Sequence, residues 1–158
     1  MKRVRVKEPK LQKQTNTLDE TYYDQDTQNK MLYQLYLNDE FNEKDILLQA
    51  ITKKLQGYKQ QDSKHLIYSK HHFIHIDTTI QRLVESKLQC LYCNQNLMLF
   101  YKECKQDNQW TLDRIDNTMG HNSNNVVISC LDCNLKRGNT DLEKFKYTKQ
   151  LTIKKLEA

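Results

Sequence analysis

Long hydrophobic runs are missing from this chain, and apolar residues of every kind are scarce, at 37% of 158 residues. No stretch approaches the roughly 18 consecutive apolar residues of a membrane-spanning helix, so a soluble protein with no membrane partner is expected. The first residues, Met1-Lys-Arg-Val-Arg-Val-Lys7, are basic and lack the apolar centre of a signal peptide. That lack argues against reading the five cysteines as a secreted disulfide scaffold and for a reducing, intracellular compartment in which thiols act as ligands. So little apolar surface, among so many Gln, Asn and Lys, leaves room for one domain and a helical extension but not for a large core. A bound metal is therefore expected to hold the compact part together. The net charge of +5 is compatible with nucleic acid as a partner but does not establish one.

Charge is laid out in blocks. Residues 1–13 carry six Lys/Arg against one Glu, and residues 14–45 carry eight acids against two Lys. The basic tail could touch phosphates, although it has no aromatic partners and reads first as a solvated, disordered terminus. Pro9 and the polar run Gln12 to Thr17 offer too little apolar surface to fold alone. From about Asp26 to Gln56, Met31, Leu32, Leu35, Tyr36, Ile46, Leu47, Ala50, Ile51 and Leu55 recur at steps of three and four, which predicts two helices divided near Asn38 and Asp39. They read as an amphipathic pair packed on the core, with a DNA-docking or dimerisation arm, and hence a homodimer, as the alternative. Gly57 and the polar residues Lys59 to Lys64 mark a boundary.

Four of the five histidines fall between His65 and His75. A His-rich tract can bind metal, but this one alternates as an extended segment, has no helix-spaced ligand pair and brings no carboxylate, so surface or phosphate contacts are the better reading. Asp77 or Thr78 is expected to cap a helix bearing Ile80, Leu83, Val84 and Leu88. Beyond Cys90, the apolar runs Leu97 to Tyr101 and Trp110 to Ile115 read as a β-hairpin or a broader loop, with Cys104 a free thiol in the turn. Asn125 to Ile128 is another extended piece, Leu131 to Arg137 begins a helix that Gly138 ends, and Thr140 or Asp141 caps a last helix through Leu142, Phe145, Leu151 and Ile153.

The strongest signal is the repeated spacing Cys90-x-x-Cys93 and Cys130-x-x-Cys133, by which two turns each offer a thiolate pair to one tetrahedral Zn²⁺. Four thiolates leave no open coordination position, so this zinc is structural and any chemistry comes from what lies between and beside the pairs. Hydrolysis of a phosphodiester with one divalent ion needs hard oxygen ligands, a proton acceptor and positive charge near the phosphate. Asp113 offers a carboxylate, Asn134 an amide carbonyl, His121 an imidazole, and Arg114, Lys136 and Arg137 offer cations. Each has a plainer reading: Asp113 and Asp116 could form a local ion pair with Arg114, Asn134 could cap a helix, and His121 could be a loop contact. Their convergence on one pair of knuckles favours function.

Together, Cys90-x-x-Cys93, Leu112-Asp-Arg-Ile-Asp-Asn117, Gly120-His121, Asn125-Val126, Cys130-x-x-Cys133-Asn134 and Arg137-Gly138 resemble the HNH endonuclease superfamily. Within it, the chain is similar to the zinc-bearing branch that includes recombination endonuclease VII, over about residues 80–147. The resemblance implies an α+β fold, a small zinc-stabilised ββα-metal (HNH, His-Me finger) core with N-terminal and C-terminal helices. The resemblance says little about residues 1–77; charge and periodicity there give a basic, polar tail at 1–25 and a helical extension at 26–77, ahead of an HNH-type domain at 78–158. It also implies a DNA endonuclease acting on duplex, branched or nicked DNA. In it Asp113 and Asn134 would bind one catalytic Mg²⁺ or Mn²⁺, Asn125 would brace the hairpin loop, and Arg114, Lys136 and Arg137 would meet phosphate. One departure stands out: Arg114 follows the aspartate where the family usually has the histidine base, and an arginine stays protonated. Either His121 or Asp116 would replace that base, or the metal would activate water with help from the substrate phosphate, or activity would be reduced or lost. The alternatives in function are a non-cleaving zinc-dependent nucleic-acid-binding module and, with least support, a protein-interaction zinc domain.

Overall fold

The computed structural model describes residues 18–151, so the basic tail and Ile153 lie outside the described residues. After a single 3₁₀ turn at Glu20–Tyr23, helix α1 spans Gln25–Tyr36, and the Asp24 carboxylate caps it by accepting the Thr27 N–H at 3.0 Å. The chain turns at Asn38, whose φ of 57° suits an asparagine, and re-enters helix as α2, Lys44–Lys64. Two helices are thus present where the periodicity predicts them. The expected boundary at Gly57 is not: α2 runs through it for two further turns. The reason is the buried stripe of Leu47, Ile51 and Leu55, which continues at helical steps to Tyr58 and to a fully buried Asp62. Tertiary contacts along that stripe outweigh one exposed glycine, whose cost in a helix is only about 1 kcal/mol.

Helix α3 is Ile76–Glu85 and buries Thr79, Ile80 and Leu83. Its N-cap is His75 rather than Asp77 or Thr78, and Asp77 falls in the first turn. The Thr79 hydroxyl and N–H both donate to the His75 carbonyl at 2.9 Å, so the first turn closes two or three residues earlier than expected.

Strand β1, Trp110–Arg114, pairs antiparallel with β2, Val126–Cys130, in the register Trp110 to Cys130 and Arg114 to Val126. The run Leu97 to Tyr101, a candidate hairpin partner for β1, is instead tied into the core without forming a strand. Gln28 of α1, itself fully buried, accepts the N–H groups of Leu99 and Phe100 at 2.6 and 3.2 Å and donates to the Phe100 carbonyl at 3.0 Å. A side chain has taken the backbone groups that a ladder would need.

A lone two-stranded hairpin is marginal in water, and here both of its edges are covered. Along β1, α2 places the Lys54 ammonium on the Trp110 carbonyl and the Tyr58 hydroxyl against the Leu112 N–H at 3.1 Å. Along β2, the Leu91 N–H, between the first two cysteines, donates to Ile128 at 3.1 Å. Helix α4, Leu131–Arg137, follows β2 without a loop and ends at Gly138, whose φ of 52° disfavours any other residue. Asp141 caps α5, Leu142–Gln150, which sets Phe145 edge-on to Tyr92 at 5.0 Å. The architecture is mixed α+β, and no helix among the described residues is long and apolar enough to cross a membrane.

A methyl group added at the exposed Gly57 meets no atom within 4 Å. Gly57→Ala is therefore expected to raise stability by up to about 1 kcal/mol, seen as a higher urea midpoint with an unchanged slope. A lower midpoint would mean that α2 does not run straight through this position.

Candidate functional site

Cys90 and Cys93 form one tight turn, completed where Asn94 takes a left-handed φ of 61° and returns its N–H to the Cys90 carbonyl at 3.0 Å. Cys130 and Cys133 form the other at the start of α4, where the Cys130 sulfur accepts the Cys133 N–H at 3.3 Å. All four sulfurs lie within 4.8 Å of one another, and Cys93 Sγ is 3.9 Å from Cys130 Sγ. A tetrahedral ion with bonds of about 2.3 Å needs its sulfurs about 3.8 Å apart, so the cluster could hold a metal such as zinc. Among the described residues no other group of three or more His, Cys, Asp or Glu converges in this way. His71, His72 and His75 are exposed, and the His72 ring meets the Ser69 hydroxyl at 2.8 Å. Cys104 is a free, exposed thiol.

Both knuckles reach the same carboxylate. Asp113 is buried, and its Oδ2 accepts from the hydroxyl of Tyr92, which lies between Cys90 and Cys93, and from Arg137 Nη1 at 3.0 Å, four residues past Cys133. Burial pushes the Asp113 carboxyl above its ordinary range, although Tyr92 and Arg137 both oppose that shift. Arg137 differs from the phosphate-facing role expected of it. It is 3% exposed, and its remaining donors go to the carbonyls of Arg114, Ile115 and Thr140 at 2.6–2.9 Å. A guanidinium so fully engaged ties α4 to the end of β1. Lys136 is exposed and paired with Asp132 at 2.9 Å.

The loop from Ile115 to Asn125 is closed by Asn125. Its Oδ1 accepts the Asp116 N–H and its amide donates to the carbonyls of Asp116 and Gly120, all at 2.9 Å. His121, held in that loop, is 3% exposed. Its backbone N–H donates to Asp62 Oδ2 and its ring Nδ1 meets Asp62 Oδ1, both at 2.7 Å. The ring stacks on Tyr58 with centroids 4.3 Å apart. Burial draws the imidazole below its ordinary pKa, outweighing the pull of Asp62 in the opposite direction. Gly120 owes its place to crowding rather than to an unusual turn. A Cβ there would stand 2.6 Å from Asp62 Oδ2 and 2.8 Å from the Ile67 carbonyl oxygen.

Tyr58, Asp113, Arg114, His121 and Asn134 line a cleft of about 240 Å³. The Asn134 amide nitrogen donates to Thr111 Oγ1 at 3.1 Å, so its carbonyl oxygen is the end left for a ligand. Arg114 is half-buried, and among the described residues its guanidinium makes only long contacts of 3.4 Å to the Asn117 and Met119 carbonyls. Asp116 is exposed and engaged by Thr118 at 2.7 and 2.9 Å, which holds its carboxyl below the ordinary range. Tyr58 and Asp62 are members of this constellation that the sequence reading missed. The signal was there: both continue the 47, 51, 55 stripe beyond Gly57. No family model, curated protein or solved structure matches the chain.

Because both members of the Arg137–Asp113 pair are buried, Arg137→Ala should cost about 3–5 kcal/mol in chemical denaturation, whereas Lys136→Ala should leave the midpoint unmoved. Equal, small effects would mean that Arg137 is a surface cation after all. Cys133→Ser should lower bound metal measured by atomic emission and, through Tyr92 and Trp110, the near-UV dichroism. Full metal content in this variant would contradict the four-thiol site.

Proposed function

We propose that this chain is an HNH-type DNA endonuclease that hydrolyses phosphodiester bonds with one divalent ion, on a core held by a four-cysteine zinc site. The observation that carries the reading is the convergence of Asp113, Asn134, Arg114 and His121 on one cleft, immediately beside a hairpin and helix pinned by four thiols. Zinc is the ion that suits four close thiolates, and its closed shell gives it a structural role. Mg²⁺ or Mn²⁺ suits the hard oxygens of Asp113 and Asn134.

When bound, that second ion supplies Lewis-acid stabilisation of charge on the phosphate. The residues do the rest. Tyr92 and Arg137 occupy Asp113 Oδ2 and fix the carboxylate, leaving Oδ1 toward a ligand. Arg114, with only long contacts of its own, is placed to meet a phosphate oxygen, as a permanent cation and not as a base. Asn125 keeps the loop that carries His121 in register with β1. A second reading, a non-cleaving zinc-dependent nucleic-acid-binding module, draws on one observation: Arg137 already neutralises Asp113.

Supercoiled plasmid incubated with Mg²⁺ or Mn²⁺ should be nicked or linearised, and EDTA should stop it. Asp113→Ala and Asn134→Ala should each lower the rate by several kcal/mol in barrier, on the order of 10³-fold, with zinc content and DNA affinity kept. Parental cleavage by Asp113→Ala would remove the activity from this cleft. Salt-dependent DNA binding without cleavage under either ion would favour the second reading.

A further inference from the structure

We infer that Asp62 is a positioning residue that holds His121 as the Nδ1–H tautomer, so that Nε2 faces the cleft as acceptor of a proton from the attacking water. This inference rests on the endonuclease reading and names the proton acceptor that Arg114 cannot be.

The burial of Asp62 is the starting point. It is 0% exposed on the core-facing stripe of α2, where a leucine would continue the apolar run. A carboxylate is costly there unless every oxygen is paired. Tethering the loop would need one oxygen, and Oδ2 does that through the His121 backbone N–H. The other oxygen goes to the ring. Oδ1 lies 2.7 Å from Nδ1, and a carboxylate can only accept, so the proton sits on Nδ1 and Nε2 carries the free lone pair. Nε2 makes no hydrogen bond among the described residues, and the ring lines the same cleft as Asp113 and Asn134.

Two further contacts keep the ring from turning. Tyr58 stacks on one face with an interplanar angle of 29° and is itself fixed by the Leu112 N–H. Gly120 leaves room for Asp62 Oδ2 that any side chain would fill. The charged groups facing the imidazole are Asp62 from α2 and Arg114 and Asp113 from β1, and burial outweighs the two acids, drawing the imidazole below its ordinary pKa, the direction that favours the accepting form. In the step itself, a water proton moves to Nε2 while the water oxygen bonds to phosphorus. The phosphorus–oxygen bond on the far side breaks, and the leaving oxygen keeps the electron pair and takes a proton from solvent. Asp62 stabilises the imidazolium until it returns its proton to solvent.

The test is ¹⁵N NMR of histidine-labelled, zinc-loaded protein, with His121→Gln used to assign the signal, alongside plasmid-cleavage kinetics. The parent should show Nδ1 protonated and Nε2 bare. In Asp62→Asn the amide can give its oxygen to the backbone N–H and its NH₂ to the ring, which forces the Nε2–H tautomer. The turnover rate should then fall by about 10³-fold or more, with KM and zinc content unchanged. An Nε2–H signal in the parent overturns the inference without any variant, and so does cleavage by Asp62→Asn at the parental rate. No cleavage by the parent with either ion would instead sink the endonuclease reading on which the inference rests.

Discussion

Four sulfurs drawn within 4.8 Å of one another are the constraint on which the rest of this chain depends. They bring residues 90–93 against residues 130–133, at the open end of a small hairpin where Cys130 faces Trp110, and the hairpin's own two strands could not persist in water. Apparent metal-binding energies of such sites reach about 10 kcal/mol, as large as the stability of a whole domain. An ion held there would contribute stabilisation on that scale to a chain with so little apolar surface. The thiol-bearing turns also fix Asp113 indirectly, because Tyr92 from one knuckle and Arg137 from the helix that begins at the other meet on its Oδ2.

The long helix α2 is the second organising element. It closes the open edge of β1 with Lys54 and Tyr58 and then, one turn on, delivers Asp62 to His121. A segment that reads as a separate extension thus contributes two of the side chains around the cleft. At about 240 Å³ the cleft is too small to enclose a large ligand.

Much of this was legible in the sequence, for reasons that differ by element. The cysteine spacing specifies geometry directly, and Leu47, Ile51 and Leu55 specify a helix face, because both patterns are local. Asp113, Asn134 and His121 lie together in the cleft although the sequence could only group them by their nearness to the knuckles. What was not legible depended on non-local partners. The strand that pairs with β1 was hidden because Gln28, over seventy residues away, takes the backbone groups of the competing run. Arg137 reads as a surface cation until its carbonyl and carboxylate partners fold around it. Asp62 reads as solvated polarity after a glycine: its place on the 47, 51, 55 stripe was legible, but the buried imidazole that pairs with it lies 59 residues away.

The proposed function requires two chemically distinct ions, a structural one among thiols and a working one among oxygens. Anomalous diffraction from crystals of the zinc-loaded protein soaked in Mn²⁺, recorded at the zinc and manganese edges, tests it most directly. The account predicts a zinc peak amid Cys90, Cys93, Cys130 and Cys133 and a separate manganese peak beside Asp113 and Asn134. A cleft empty of manganese at saturating concentration, or thiols without zinc, would contradict it.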